Sequence, residues 1–197
     1  MHSLFSNKDL KVPVVSESLV PSKQADALPF DSVCEFTAAK ELDVIRAKIG
    51  ELLPGRSVWF KTDGAWSNYH LLEYILNLTG PAEVYFTTWA ISEVAITKFL
   101  ALKEAGLITD LYAVIDTGLR NRKPQVYQQA VAAFPKLKIA HCHAKATVVI
   151  SKTHQITFIG SANYTRNPRK EVGVILWDNE ISQANAAWIK EEINGTD

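Results

Sequence analysis

Residues 57–88 read SVWFKTDGAWSNYHLLEYILNLTGPAEVYFTT, and this stretch indicates the fold because two strand patterns flank one helix pattern. Apolar, β-branched and aromatic residues predict strands over Ser57–Lys61 and Glu83–Thr88, and helical spacing of apolar residues predicts a helix over Asn68–Leu78. Strands that alternate with helices in this way form a largely parallel sheet covered on both faces. The stretch therefore predicts an α/β fold.

Outward from this stretch, the alternation continues in both directions and then changes. A helix is predicted over residues 37–53, with Thr37 as its cap and Pro54-Gly55 as its end. The further predicted elements are a helix over Ser92–Ala105, a strand over Leu111–Asp116, a helix from Pro124, strands over Leu137–His141, Ala144–Ile150, Gln155–Ile159 and Glu171–Trp177, and a helix over Ile181–Ile193. Consecutive strands pair as antiparallel neighbours. The predicted sheet is therefore mixed and largely parallel, and it lies between layers of helices.

The length of 197 residues fits one domain with an appendage. Residues 1–30 mix Ser, Lys, Pro and Val without sustained periodicity, so we expect an extended N-terminal arm with one short strand. A single domain is expected over residues 31–197. The hydrophobic share of 47% is that of an ordinary soluble globular protein.

Charge and cysteine content narrow the class of protein further. The 21 basic and 21 acidic residues cancel, which argues against a protein wrapped in nucleic acid but allows a locally basic groove. Two basic groups, each of which also fits solvated surface charge, could line such a groove: Arg120, Arg122 and Lys123, and Arg166, Arg169 and Lys170. Two cysteines are too few for a disulfide framework, and no apolar run approaches the roughly 18 residues of a membrane span. With no signal-peptide pattern at the N-terminus, we expect a cytoplasmic protein without membrane insertion.

The segment His141-Cys142-His143-Ala144-Lys145 places two imidazoles and an amine close together. On a strand, alternation puts His141, His143 and Lys145 on one face. A lone H-x-K pair is a weak signal, because about 0.3 such pairs are expected by chance in this composition.

A second segment, Gly160-Ser161-Ala162-Asn163, strengthens the first. About 0.02 matches to G-S-x-N are expected by chance, and this one directly follows an apolar strand that ends in Ile159. Glu171 then opens another apolar strand. Two polar motifs in this order indicate a catalytic or binding site rather than surface decoration.

The order of these residues resembles the motif of the phospholipase D superfamily, which is H-x-K-x4-D, then G-S-x-N, then an acidic residue before an apolar strand. The likeness extends from about His141 to Leu176, and the alternating elements from Ser57 onward are similar to that family's mixed sheet between helices. There are two departures. Ile150 stands where the family has Asp, and the gap from there to Gly160 is about three residues longer than usual. Because the family's Asp supports the loop rather than the reaction, its loss bears on local structure more than on chemistry.

Side-chain chemistry supports the resemblance independently. An imidazole such as that of His143 can attack phosphorus, and a phosphohistidine splits one hard displacement into two easier ones. Lys145, Ser161 and the amide of Asn163 can donate to phosphate oxygens as charge grows in the transition state. Glu171 is suited to hold one imidazole nitrogen, as the carboxylate of a catalytic triad does. This scheme needs neither a metal ion nor another cofactor.

The H-x-K motif occurs only once, so a single chain lacks a second motif histidine to protonate the leaving oxygen. The resemblance to family members with one motif copy implies that two chains pair about a two-fold axis. In such a pair both His143 residues face one phosphate. The resemblance therefore implies a homodimeric phosphodiesterase. Because small cytoplasmic single-motif relatives resemble nucleases, we favour nucleic acid as the substrate, DNA in particular, and an endonuclease as the activity.

Three other interpretations stay open at this point. Ile150 at the usual Asp position and the neutral charge fit a catalytically silent dimeric module that binds nucleic acid. A phospholipid phosphodiesterase would use the same chemistry. His141, Cys142 and His143 could chelate zinc together with a distant carboxylate, which the charge of Lys145 opposes; otherwise His141 is a structural histidine. The aromatic candidates for stacking on bases are Trp66, Trp89 and Tyr164.

Overall fold

Eight strands and six helices make up the part of the chain that the computed structural model describes, which is residues 25–29, 41–166 and 168–195. The strands are β1 (Ala25–Pro29), β2 (Ser57–Asp63), β3 (Ala82–Thr88), β4 (Ile108–Asp116), β5 (Lys136–Ala140), β6 (Ala146–Ser151), β7 (Gln155–Gly160) and β8 (Lys170–Trp177). The helices are α1 (Glu41–Ile49), α2 (Asn68–Thr79), α3 (Glu93–Glu104), α4 (Leu119–Arg122), α5 (Pro124–Ala133) and α6 (Asn179–Asn194). Within these ranges no helix is both long and apolar enough to cross a membrane.

The strands form one sheet in the order β1-β2-β8-β7-β6-β3-β4-β5. β3 pairs in parallel with β4, and β4 with β5. The other neighbouring pairs are antiparallel. The sheet is mixed, as the sequence predicts, but the expectation that it is largely parallel is wrong.

The three consecutive strands β6, β7 and β8 explain this difference. β2 and β3 run in the same direction, as the strand–helix–strand pattern predicts, but β6, β7 and β8 lie between them. The alternation of strands and helices therefore predicted strand directions correctly. It could not predict neighbours, because a meander from later in the chain occupies the space beside β3 that a parallel partner would otherwise fill.

Helices cover both faces of the sheet, which confirms the predicted layers. The larger core lies between one face and α1, α2, α3 and α5. Its centre is an aromatic cluster of Phe86, Phe99, Phe134 and Tyr164, whose contacting ring centroids are between 4.6 and 5.8 Å apart. A smaller core lies between the opposite face and α6.

Helix α1 ends earlier than predicted. It ends at Ile49, and the next residue, Gly50, has a φ of 69° and donates its backbone amide to the carbonyl oxygen of Arg46 at 3.1 Å. Glycine favours this left-handed geometry, which is a common way for a helix to end. The helix therefore stops before the predicted Pro54-Gly55 boundary. The predicted cap, Thr37, lies outside the described residues.

β1 forms the edge of the sheet beside β2. Its five residues lie within the segment predicted to be an N-terminal arm, where one short strand was expected. The strand is paired along its whole length, from Ala25 opposite Thr62 to Pro29 opposite Val58. The division of the chain at residue 30 stays a prediction.

One end of the sheet gathers strand ends from distant parts of the sequence. β3, β4 and β7 finish there, at Thr88, Asp116 and Gly160. β6 and β8 begin at the same end because they run in the opposite direction, and Ala146 lies opposite Ile159. We call this the carboxyl end of the sheet, after β3 and β4.

A buried pair of hydroxyl groups anchors α6 to β7 and provides a test of this packing. Thr157 Oγ1 and Ser182 Oγ lie 2.9 Å apart, and both residues are fully buried. We expect Thr157→Val and Ser182→Ala each to lower the free energy of unfolding by about 1–3 kcal/mol, because each leaves a buried hydroxyl without its partner. The double variant should cost less than the sum of the two. Urea denaturation of all four proteins measures this coupling, and strictly additive losses would contradict it.

Candidate active site

Residues 141–145 form a loop that crosses the carboxyl end of the sheet, so the predicted strands through His141 and Ala144 are wrong at these positions. β5 ends at Ala140 and β6 begins at Ala146. Two strands, β4 and β3, lie between them. The chain must therefore cover three inter-strand spacings, about 14 Å, and it leaves the sheet to do so.

The first three side chains of this crossing loop alternate between solvent and core. His141 and His143 are exposed, whereas Cys142 is buried between them. Lys145 is half-buried, and its Nζ donates to the carbonyl oxygen of His143 at 2.7 Å. The imidazole of His143 is thus accessible to a ligand, with the Lys145 ammonium group next to its backbone.

The end of β4 holds the beginning of the crossing loop. The backbone amide of Thr117 donates to the carbonyl oxygen of Ala140 at 2.9 Å, and the Thr117 hydroxyl lies 3.3 Å from Nδ1 of His141. His141 therefore has a local hydrogen-bond partner, which agrees with its interpretation as a structural histidine.

Gly160 brings β7, β8 and the crossing loop together. Its backbone amide donates to the carbonyl oxygen of Lys145 at 3.1 Å, and the amide of Ser161 donates to that of Val172 at 2.9 Å. A Cβ atom on residue 160 would lie only 2.6 Å from the carbonyl oxygen of Val172. The first position of the G-S-x-N motif therefore requires glycine, because β8 passes too close for a side chain.

Ser161 and Glu171 contact each other across the ends of β7 and β8. The Ser161 hydroxyl donates to a carboxylate oxygen of Glu171 and accepts a hydrogen bond from the backbone amide of Val172 at 3.1 Å. The carboxylate is therefore oriented by the motif serine. The expected bond between Glu171 and an imidazole nitrogen of His143 stays a prediction.

The Asn163 side chain is held by the residues that follow β3. Its Oδ1 accepts hydrogen bonds from the backbone amides of Trp89 at 3.1 Å and Ala90 at 3.2 Å, and Thr88 Oγ1 lies 3.2 Å away. With the oxygen engaged in this way, Nδ2 is the end of the amide suited to donate to a ligand.

Electrostatics link Lys145 to the acidic groups of the site. Desolvation lowers the pKa of Lys145, while the thiol of Cys142 and the carboxyl groups of Glu171 and Asp116 act in the opposite direction. A partly desolvated ammonium group interacts more strongly with an anion than a fully hydrated one does.

The three aromatic candidates for base stacking differ in position. Trp66 and Tyr164 are 4% and 1% exposed, so they belong to the core and cannot stack on a base. Trp89 is half-buried, and its ring meets that of His143 edge-on at a centroid distance of 5.9 Å.

Sequence reasoning gave no role to Thr88 or Asp116. Their positions at the ends of predicted strands are the signal that could have indicated them, because ligand sites of α/β sheets gather there.

The departures from the family motif lie away from these groups. Ile150 is inside β6 and packs in the smaller core beneath α6. β6 continues past it to Ser151 without a break. Over the ranges that the structure covers, no three His, Cys, Asp or Glu side chains are grouped so as to hold a metal ion. The candidate zinc ligands of the crossing loop differ in exposure, since Cys142 is buried and the two histidines are exposed.

No protein-family model and no curated protein matches this sequence. Among solved structures, polyphosphate kinase from Porphyromonas gingivalis is similar, with a TM-score of 0.51 at 10% sequence identity over 72% of this chain and 26% of the kinase. The chain thus spans about a quarter of that kinase's length. Because the kinase has the fold of the phospholipase D superfamily, the likeness shows a phospholipase D-like α/β fold and confirms the fold expected from the motifs.

The role of Asn163 as an acceptor can be separated from its role as a donor. Asn163→Ala removes the oxygen that two backbone amides share, and we expect it to lower the free energy of unfolding by about 1–2 kcal/mol. Asn163→Asp keeps an acceptor oxygen at the same place, so it should lie closer to the unmodified protein in urea denaturation. Equal destabilisation by the two variants would show that the acceptor contacts contribute nothing.

Proposed function

We propose that this chain is a metal-independent phosphodiesterase that acts as a homodimer and forms a phosphohistidine at His143. Nucleic acid is the proposed substrate, with DNA favoured, so the activity is that of an endonuclease. The observation that supports this most is the exposed imidazole of His143, at the same end of the sheet as Lys145, Ser161, Asn163 and Glu171.

In the first proposed step, one imidazole nitrogen of His143 forms a bond to phosphorus while the bond from phosphorus to the leaving oxygen breaks. The partner's His143, in its protonated form, gives its proton to that oxygen. In the second step, a water molecule gives a proton to the partner's His143, and the oxygen of that water displaces the first imidazole from phosphorus. The net reaction is hydrolysis of one phosphodiester bond, and both imidazoles return to their starting states.

Charge that develops on the non-bridging oxygens needs donors already in position. Lys145 and Nδ2 of Asn163 are the proposed donors, because one is partly desolvated and the other is oriented by the backbone after β3. Ser161 supplies a further hydroxyl and positions Glu171 through their mutual contact. Glu171 in turn is proposed to hold one imidazole nitrogen and so to select the reactive tautomer.

Two basic groups favour a polyanionic substrate. They flank the carboxyl end of the sheet, one around α4 after β4 and the other at the start of β8. Their members are exposed and are Arg120, Arg122 and Lys123, and Arg166, Arg169 and Lys170. A polynucleotide that passes the site would meet positive charge on both sides, which fits nucleic acid better than a single phosphate ester.

The first test measures hydrolysis of bis(p-nitrophenyl) phosphate and of single- and double-stranded DNA in excess EDTA. We expect cleavage by the unmodified protein and a loss of at least about a thousandfold in His143→Ala. His141→Ala is the matched control, because His141 lies in the same loop and is also exposed. Activity that EDTA abolishes would contradict the mechanism, and DNA binding without cleavage would favour the silent binding module instead. Cleavage of phospholipid vesicles in place of DNA would overturn the proposed substrate.

The shared site predicts a specific result when subunits are mixed. If unmodified and His143→Ala chains are refolded together in equal amounts and pair at random, about a quarter of the dimers contain two His143 side chains. Activity per total protein should then be about a quarter of the unmodified value, because both imidazoles are needed at one phosphate. Half the unmodified activity would indicate chains that work independently and would exclude the shared site.

A further inference from the structure

A line of contacts runs from β4 to the His143 imidazole and involves residues that take no part in the bond changes described above. Its last member before the imidazole is Trp89, whose ring touches the imidazole edge-on at 5.9 Å between centroids, with an interplanar angle of 60°. The backbone amide of the same residue donates to Asn163 Oδ1 at 3.1 Å. Trp89 therefore contacts the proposed nucleophile through its ring and the proposed phosphate donor through its backbone.

Arg122 covers a face of the Trp89 ring. Its guanidinium carbon lies 3.9 Å from the ring centroid, well within the distance at which a cation and an aromatic face attract each other. Its Nη2 also donates to the carbonyl oxygen of Trp89 at 2.8 Å and to Oδ1 of Asp116 at 2.9 Å. Three contacts thus fix the guanidinium in one place, and two of them are to Trp89.

Asp116 connects this arrangement to the sheet. It is the last residue of β4, its side chain is 12% exposed, and its Oδ1 also accepts a hydrogen bond from the backbone amide of Gly118 at 3.0 Å. A Cβ atom added to Gly118 would collide with Nη1 of Arg122 and would also lie only 2.8 Å from Oδ1 of Asp116. The absence of a side chain at position 118 therefore leaves room for the guanidinium over Trp89.

We propose that Asp116, Arg122 and Trp89 form a buttress that holds the imidazole of His143 in the orientation needed for attack on phosphorus. Asp116 and Arg122 do not touch the reacting atoms in this arrangement. They are positioning residues that act through Trp89. The inference rests on the proposed function for its kinetic consequence, but the buttress itself is a structural claim that can be tested without any substrate.

The first measurement is the NMR resonance of the His143 ring protons, assigned by its loss in His143→Ala. An aromatic ring in contact shifts such a resonance, so Trp89→Ala should move it. Arg122→Leu and Gly118→Ala should move it too, although neither residue touches His143 in the structure. Arg120→Leu is the matched control, because it removes a similar contact two residues away: the Arg120 guanidinium lies 5.1 Å from the Tyr127 ring centroid. This variant should leave the His143 resonance unchanged.

The second measurement is the rate of diester cleavage. Misplacement of a reacting group by about 1 Å can cost about a hundredfold in rate, so we expect kcat to fall about ten- to a hundredfold in Trp89→Ala and Gly118→Ala. KM should change little in Gly118→Ala, which keeps both the arginine and the aspartate. Trp89→Phe retains an aromatic edge and should recover most of the activity lost in Trp89→Ala.

The outcomes separate the inference from the proposed function. If the His143 resonance is unchanged in both Arg122→Leu and Gly118→Ala, the buttress is overturned, even if His143 proves to be the nucleophile. A higher KM for DNA with unchanged kcat in Trp89→Ala also overturns it, and indicates instead that Trp89 stacks on a base. If the unmodified protein cleaves no diester, the proposed function fails, and a His143 resonance that responds to Gly118→Ala still supports the buttress.

Discussion

The hydrogen bond from the backbone amide of Gly160 to the carbonyl oxygen of Lys145, 3.1 Å long, joins the two motif segments. It connects the last residue of β7 to the loop before β6, and β8 packs so closely beside it that only glycine fits. The turn that begins at Gly160 then reaches three other parts of the fold. Its contacts are Ser161 with β8, Ala162 with Asn68 of α2, and Asn163 with the residues after β3. The site residues therefore take their positions relative to one four-residue turn.

The mixed direction of the strands is what makes a site of this composition possible. In a purely parallel sheet, residues that precede a strand and residues that follow one lie at opposite ends. Here β6 and β8 run against β3, β4 and β7. Lys145, which precedes β6, and Glu171, near the start of β8, thus meet Ser161 and Asn163, which follow β7. The antiparallel meander that the sequence did not predict as a neighbour of β3 is therefore also the feature that assembles the candidate site.

Much of the fold could be predicted from local patterns, because helices and strands depend on spacing within a few residues. The prediction for α2 ended one residue short, and Ser92, the predicted start of the next helix, caps α3. Strand order could not be predicted in this way, because it depends on pairing between segments far apart in the chain. The same limit applies to the site. The motifs indicated His143 and Asn163, but no local pattern indicates that Arg122 lies on Trp89, 33 residues away.

The charges around His143 explain why a site with two carboxylates can suit an anionic ligand. Burial alone would raise the pKa of Asp116, but hydrogen bonds from Arg122 and the Gly118 amide outweigh it, so the pKa lies below its ordinary value. This carboxylate is therefore charged, and Arg122 compensates it. Loss of Arg122 would have two effects, because it would loosen Trp89 and would also leave a negative charge near Lys145, where a phosphate is proposed to bind. In Gly118→Ala a methyl group displaces the guanidinium from the Trp89 ring, but the arginine charge stays close by. Comparison of Gly118→Ala with loss of Arg122 therefore separates orientation of the imidazole from electrostatic repulsion of the substrate.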